Sequence, residues 1–194
     1  MSGVGFTRIE ALFGFGLFYF ARLLPVRFAS AAMGGLLGIM APLTPWHRRA
    51  LRNLNHAMPD LDNAEKDQIL RAMWRNLGRV IGEYPHINSI VDKGWVEFVG
   101  LDHLKALDGG GFLIGAHIGN WEFGPFAALT TGKKVAAIYR PLNNPLLSGL
   151  LHRRQETYGG DIYRKGREAA LGMVSALRKG QMMCLLVDQQ LREG

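Results

Sequence analysis

The stretch Phe112-Leu-Ile-Gly-Ala-His117-Ile-Gly-Asn-Trp-Glu122 joins a short apolar run to a helix-like segment through a histidine. The run that ends before His117 has the length of a buried strand. Gly119-Asn120 predicts a turn, and residues 121–129 predict a helix that starts directly after it. His117 is therefore expected at the carboxyl end of a strand, which is where open α/β sheets bind ligands.

The same stretch carries a candidate catalytic pair. Glu122 falls in the first predicted helical turn, close enough to hold and polarise the imidazole of His117. A base with an orienting carboxylate is what acyl transfer to a hydroxyl requires. A histidine near a glutamate is more often an ordinary surface or core pair, but the strand-to-helix junction favours catalysis. The sequence has no G-x-S-x-G motif, which argues against a serine hydrolase.

From Trp95 onward, strand patterns alternate with helix patterns. The candidate strands are residues 96–99, 112–116, 135–139, 161–163 and 182–187, and the candidate helices between them are residues 121–129, 146–158 and 167–179. Alternation of this kind predicts an α/β fold with a mixed, largely parallel sheet flanked by helices.

The N-terminal segment differs from the rest because it is almost uncharged. Between residues 11 and 46 the only charged side chains are Arg22 and Arg27, and Pro25 lies between them. We predict a hydrophobic helical membrane anchor in residues 1–46, with a first helix inserted and a second lying along the interface. The alternative is a hydrophobic hairpin packed on the domain. Residues 47–194 are then the α/β domain, which opens on the basic cluster of residues 47–52, suited to anionic headgroups.

Between anchor and sheet, the sequence predicts one long packing helix. Asp62 and Glu65 have the spacing of a capping box, apolar residues follow at helical spacing, and Pro85 closes the pattern. This helix carries no predicted chemistry.

The charge and the cysteine content of the chain limit the classes of function that fit it. The chain has 194 residues and a formal net charge of +7, which suits an anionic membrane surface, an acidic partner or nucleic acid. Its one cysteine, Cys184, lies in an apolar run, so we expect no disulfide and a reducing compartment. Zinc-binding patterns and the common nucleic-acid-binding signatures are absent from the sequence.

Several polar residues follow the predicted strands and therefore fall near the same sheet edge as His117. Arg140 follows one strand, Arg164 and Lys165 follow another, and Asp188 follows the last. The cations could clamp phosphate or carboxylate, although each one alone also fits a solubilising basic face. Asp188 either faces the site or caps a turn.

Taken together, these blocks resemble the late lipid A acyltransferases of Gram-negative bacteria, the lauroyl and myristoyl transferases, within the H-x4-D/E acyltransferases. The strongest block is Gly115-Ala-His117-Ile-Gly-Asn-Trp-Glu122. The others, in chain order, are the apolar N-terminus, Arg49-Ala-Leu-Arg-Asn-Leu54, Met58-Pro-Asp-Leu61, Tyr139-Arg-Pro-Leu-Asn-Asn-Pro145, Arg164-Lys-Gly166 and Leu186-Val-Asp-Gln189. H-x4-E alone is a weak pattern, but these blocks occur in one order over nearly the whole chain.

The resemblance implies a role for each site residue. His117 is the general base that deprotonates a lipid hydroxyl, and Glu122 orients it. Asn120, with backbone N–H groups of the next turn, supports the oxyanion. The substrate-binding residues are Asn120, Arg140, Arg164, Lys165 and Asp188.

The resemblance also implies partners and a location. The acyl donor is acyl carrier protein, the acceptor is a glycolipid in the bacterial inner membrane, and the catalytic domain faces the cytoplasm. No metal and no redox cofactor is implied. Members of the family usually continue well beyond the Asp188-Gln189 segment, so we expect the C-terminal part of the domain to be missing from this chain.

Two alternatives stay open. The first is a glycerolipid acyltransferase, or one acting on another glycolipid, with the same chemistry; Ala116 before the histidine and Glu122 at the end of the motif favour the lipid A branch. The second is a non-catalytic protein that binds membrane lipid through its basic face.

Overall fold

A computed structural model describes residues 2–139, 144–147 and 157–188, with side chains from Arg8 onward. The chain divides into two compact units. One comprises residues up to Phe15 together with those from Asn88, and the other is Gly16–Ile87. The boundary that we place at residue 46, between anchor and domain, stays a prediction.

The Gly16–Ile87 unit is entirely helical. Its helices are α1 (Ser2–Leu23, which begins in the other unit), α2 (Val26–Met40), α3 (Pro45–Ala57) and α4 (Asn63–Glu83). Pro25 stands at the break between α1 and α2, as predicted. The capping box is confirmed, because the Asp62 carboxylate accepts from the Glu65 backbone N–H at 2.8 Å and Glu65 accepts from that of Asp62 at 2.9 Å. Helix α4 ends just before Pro85.

Helices α2 and α4 pack against each other through small residues. A Cβ at Gly78 would overlap the Met33 carbonyl oxygen and lie 2.8 Å from the α-carbon of Gly34, and a Cβ at Gly82 would overlap the Ala29 carbonyl oxygen. These neighbours are backbone atoms, which cannot move aside as a flexible side chain can. The Gly-x-x-x-Gly spacing in α4 therefore lets the two helix backbones approach closely.

Two identical substitutions are expected to have opposite effects on stability. Gly78→Ala should lower the free energy of unfolding by about 1–3 kcal/mol, since the methyl group forces the helices apart. Gly35→Ala should raise it by up to about 1 kcal/mol, because glycine is the poorer helix former and a Cβ there meets nothing within 4 Å. Urea unfolding followed by circular dichroism measures both. Equal effects at the two positions would contradict the packing that we describe.

One candidate membrane span occurs among the described residues. Val26–Leu43, an 18-residue stretch with a mean hydropathy of 1.4, is long and apolar enough to cross a bilayer by length and composition. Core helices of soluble proteins and signal sequences pass the same test. The candidate anchor is thus the second apolar segment of the N-terminus, whereas the sequence analysis predicts insertion of the first.

The second unit is built on a four-stranded parallel sheet. Its strands are β1 (Gly111–Gly115), β2 (Val135–Tyr139), β3 (Gly159–Arg164) and β4 (Met182–Leu186), in the order β1-β4-β2-β3. The described helices around them are α5 (Ile87–Asp92), α6 (Leu101–Lys105), α7 (Gly124–Leu129) and α8 (Arg167–Arg178). The predicted α/β fold with a sheet flanked by helices is confirmed, and the described strand pairs are all parallel.

The two faces of the sheet bury alternate side chains of the same strands. On one face, Val135 and Met182 pack with Ala128 of α7. The other face buries the next residue of each strand, which packs with α8 through Ala136, Met183 and Ala176. The side chains in both of these clusters are fully buried. Burial on both faces explains why β2 and β4 are continuous apolar runs, as is usual for the inner strands of parallel sheets.

Two predicted elements have different outcomes. The strand predicted at residues 96–99 is wrong: these residues are irregular and none of them is fully buried, and Val99 is 88% exposed. The helix predicted at residues 146–158 falls mostly outside the described residues, of which Pro145–Leu147 form a 3₁₀ turn. The remaining strand and helix predictions from residue 112 to 179 agree with the structure within a few residues.

Cys184 is expected to be chemically inert in the native protein. It lies in β4, and burial raises the pKa of its thiol to about 12. At pH 8 only about one thiol in 10⁴ is then the reactive thiolate. Because this is the only cysteine in the sequence, a thiol-reactive chromophore should label the native protein very slowly and the guanidinium-unfolded protein within minutes. Similar rates in both states would contradict the buried position.

Candidate active site

The register of two neighbouring strands brings His117 and Asp188 together. In the β1–β4 pair Gly115 lies opposite Leu186, and the Val187 backbone N–H continues the ladder by donating to the Gly115 carbonyl. His117 stands two residues beyond Gly115 and Asp188 two residues beyond Leu186. The two side chains therefore meet at the carboxyl edge of the sheet, although 71 residues separate them in sequence.

Both oxygens of the Asp188 carboxylate contact His117. Oδ1 lies 2.8 Å from the ring Nδ1, and Oδ2 accepts the backbone N–H of His117, also at 2.8 Å. A carboxylate only accepts hydrogen bonds, so Nδ1 carries a proton, and in the neutral imidazole Nε2 is the nitrogen with the lone pair. The arrangement holds the imidazole in the tautomer that can take a proton from a substrate.

The electrostatics favour an ionised Asp188. Its hydrogen bond with the His117 ring, followed by that with the His117 backbone N–H, lowers the pKa of the Asp188 carboxyl below its ordinary value. Because this pKa is lowered, the contact between Asp188 and His117 is fully present at any pH above the ordinary pKa of a carboxyl group. It is lost only when the pH falls through the lowered pKa. The orienting contact thus persists at neutral and mildly acidic pH. Both side chains remain partly accessible, at 28% and 37% exposure, so a substrate can reach them.

The turn after His117 shapes the entrance to the site. Gly119 has φ +59°, a left-handed conformation that glycine adopts without strain. Asn120 Oδ1 accepts the Glu122 backbone N–H at 3.2 Å, which caps the 3₁₀ turn Trp121–Phe123. The Trp121 ring stands edge-on to the imidazole, with centroids 4.9 Å apart. The peptide N–H of Glu122 is thus engaged inside the turn, while the oxyanion role of Asn120 stays a prediction.

The other predicted site residues lie farther along the same edge. Arg164 ends β3, and the Lys165 backbone N–H donates to the Tyr139 carbonyl at 3.0 Å. Because β4 and β2 separate β1 from β3, the ends of β1 and β3 are about 14 Å apart. These cations share the edge with His117 but extend from the far side of two intervening strands. Arg140 lies outside the described residues.

The contact between Asp188 and His117 is not predicted from the sequence, where Glu122 is expected to orient the imidazole and Asp188 to bind substrate. A signal is present, since His117 and Asp188 both follow apolar strands by the same short distance. The missing information is that β1 and β4 are neighbours, which no local pattern carries. Among the described residues no group of three or more His, Cys, Asp or Glu side chains is placed to hold a metal ion.

Comparison with known proteins assigns the family. No curated protein matches the chain. The family model described as bacterial lipid A biosynthesis acyltransferase matches residues 6–194, which include both strands that carry His117 and Asp188. This protein therefore belongs to the bacterial lipid A biosynthesis acyltransferases, a membrane-associated family of enzymes that transfer acyl groups.

Proposed function

We propose that this enzyme moves a fatty acyl group from acyl carrier protein to a hydroxyl of a lipid A precursor, with His117 as general base. The observation that carries the proposal is the Nδ1–Oδ1 contact of 2.8 Å between His117 and Asp188 at the carboxyl edge of the sheet. With a proton held on Nδ1, Nε2 of the neutral imidazole is the nitrogen that can accept another, and the His117 side chain is 28% exposed. Membership of the family supplies the acyl-transfer chemistry.

The proposed reaction has two proton movements. Nε2 of His117 takes the proton of the acceptor hydroxyl while its oxygen attacks the thioester carbonyl carbon. Collapse of the tetrahedral intermediate breaks the carbon–sulfur bond, and the leaving thiolate takes the proton back from Nε2. The products are an ester on the acceptor and a free thiol on the carrier, and the base is regenerated.

In this mechanism we assign Asp188 the orienting role in place of substrate binding. Its carboxylate fixes the tautomer and stabilises the imidazolium that forms during the reaction. Glu122 remains a candidate for a second contribution at the site. Arg164 and Lys165 are proposed to hold phosphate or sugar-acid groups of an acceptor that extends along the sheet edge, since they end and follow β3, the last strand in the order. Arg140 is proposed to act with them.

The proposed location is the bacterial inner membrane, with the catalytic unit facing the cytoplasm, where acyl carrier protein is found. The net charge of +7 favours docking of an acidic carrier. The candidate span Val26–Leu43 supports membrane attachment.

The experiment that tests the function is an acyl-transfer assay on membranes containing the full chain. Acyl-loaded carrier protein and a Kdo-bearing lipid A precursor are supplied, and mass spectrometry looks for one added acyl chain. A mass gain on the precursor supports the proposal. Transfer only to a lysophospholipid would move the enzyme to glycerolipid acylation, and a gain that needs acyl-coenzyme A would overturn the proposed donor.

A further inference from the structure

A cavity lined by none of the candidate active-site residues lies in the helical unit. It has a volume of about 320 Å³ and opens between α2 and α4, which places it at the small end of ligand-binding cavities. Its lining comprises Gly35, Gly38, Ile39, Pro42, Arg71 and Arg75. The lining is thus an apolar wall from α2 and its following turn, facing two guanidinium groups from α4.

Two glycines of α2 make room for the cavity. A Cβ at Gly38 would lie 2.9 Å from the Cγ of Arg75, so the stem of this arginine lies across the glycine. A Cβ at Gly35 would meet nothing within 4 Å. Gly38 therefore makes room for the side chain of Arg75, and Gly35 leaves open space beside it.

The charge at the cavity is positive and only partly balanced. Nε of Arg71 bonds the Asp67 carboxylate at 2.6 Å, which leaves the terminal amino groups of Arg71 available as donors. Within the part of the chain that the structure describes, the Arg75 guanidinium has no ion-pair partner. Two cations against one carboxylate give a net charge of about +1, which an anion would neutralise.

The surface beside the cavity is strongly apolar. Ile39 is 72% exposed, Leu43 77% and Trp46 63%, and Leu36 and Met40 extend the same end of α2. A run of exposed large apolar side chains of this kind marks an interaction surface. Apolar side chains next to guanidinium donors match the boundary of a bilayer, where acyl chains adjoin headgroup phosphates.

The packing of α2 on α4 also constrains its depth in a membrane. Arg75 and Arg79 of α4 cross α2 at Gly38 and Gly34. An arginine at the centre of a bilayer is costly, whereas one at the interface contacts lipid phosphates. The α2–α4 pair is therefore suited to lie along the interface, with the cavity at headgroup depth.

We propose that the cavity formed by Gly35, Gly38, Arg71 and Arg75 binds the headgroup phosphate of an anionic phospholipid of the surrounding membrane. The proposal uses the membrane association of the enzyme but does not depend on the acyl-transfer mechanism. Arg71 and Arg75 bond the phosphate oxygens, and the exposed side chains of α2 contact the acyl region of the same leaflet. Lipid binding at this place holds the helical unit on the membrane surface.

The test is flotation of the purified full chain with vesicles of phosphatidylcholine alone and with about one third phosphatidylglycerol. The wild-type protein should prefer the anionic vesicles. Arg75→Gln should weaken that binding at least about fivefold, the effect of one basic residue near an anionic surface. Arg52→Gln removes the same charge from α3 outside the cavity and shows how much of the loss is general electrostatics.

A cavity-filling variant separates a specific site from general charge attraction. Gly35→Leu keeps every charge but fills the open space, so it should abolish the preference for phosphatidylglycerol while binding to phosphatidylcholine persists. Gly16→Leu is the matched control, because a Cβ at Gly16 of α1 also meets nothing within 4 Å. Gly35→Ala provides a milder variant with the same expectation in direction, and circular dichroism verifies that each protein is folded.

The outcomes distinguish the sources of phosphate. If Gly35→Leu binds anionic vesicles as the wild type does, the cavity is not a lipid site and the proposal is overturned. If inorganic phosphate at millimolar concentration protects the protein from heat as well as the vesicles do, the site binds free phosphate instead. If Arg75→Gln raises the Michaelis constant for the glycolipid acceptor without changing vesicle binding, the cavity serves the substrate. An inactive enzyme that retains the vesicle preference refutes only the proposed acyl transfer.

Discussion

Replacement of His117 by glutamine is expected to lower kcat by a factor of about 10²–10⁴, the usual contribution of a general base. Glutamine can form hydrogen bonds but cannot take the proton of the acceptor hydroxyl. The variant should fold, because the bond between its backbone N–H and Asp188 Oδ2 does not involve the ring. Single-turnover cleavage of acyl-carrier thioester in the presence of acceptor measures the loss directly.

The neighbouring residue provides the control for this substitution. Ile118 is 79% exposed, and Ile118→Gln introduces the same side chain one position along the same turn. It should leave the rate of the chemical step within a few-fold of the wild type. If His117→Gln retains more than a tenth of the wild-type rate, His117 is not the base.

Asp188→Asn is expected to reduce kcat by about 10²-fold or more while changing the KM for either substrate little. The carboxylate now accepts two hydrogen bonds, one from the ring Nδ1–H and one from the His117 backbone N–H. An asparagine side chain has one oxygen, so its NH₂ group must face one of these donors. If the NH₂ group faces the ring, it donates to Nδ1 and moves the imidazole proton to Nε2, which can then accept nothing.

The tautomer of the His117 ring distinguishes an orienting role of Asp188 from a purely structural one. Nitrogen NMR of the labelled imidazole should show the Nδ1–H tautomer in the wild type and a shifted tautomer balance in Asp188→Asn. The double variant with His117→Gln should be no slower than His117→Gln alone, because the two groups act as a unit.

Two further carboxylate variants complete the comparison. Glu122→Gln should cost less than Asp188→Asn, since Asp188 holds Nδ1; the reverse order would return the orienting role to Glu122. Asp161 is the matched control, because its carboxylate accepts hydrogen bonds from Lys179 and Tyr163. The pKa of Asp161 is also lowered, chiefly by the hydrogen bond from Lys179. Asp161→Asn should affect stability without affecting the chemical step.

Local patterns in the sequence predict most of the elements. The apolar runs in β1, β2 and β4 have the length of strands, and those in β2 and β4 are buried on both faces, so each is recognisable as a strand from its own residues. The capping box of Asp62 and Glu65 is complete within four residues. Residues 96–99 show the limit, because a short run with strand-like composition forms a strand only when neighbouring strands and helices bury it.

The parts that the sequence does not predict depend on contacts between distant segments. Asp188 reaches His117 only because β4 lies beside β1, and strand order is a property of the whole sheet. The close packing of α2 on α4 is similar. Its Gly78-x-x-x-Gly82 signal is visible in the sequence, but the partner backbone at Ala29 and Met33 is not.

The position of β4 sets the order in which the catalytic machinery can assemble during synthesis. Among the described strands β4 is the last to leave the ribosome, yet it occupies an interior place between β1 and β2. The place between β1 and β2 must stay unoccupied, or be vacated, until β4 has been synthesised. Pairing β4 with β1 also closes a long loop of chain, which is slow. His117 consequently gains its carboxylate only when this interior strand is inserted, so a partly made chain carries the base without the group that activates it.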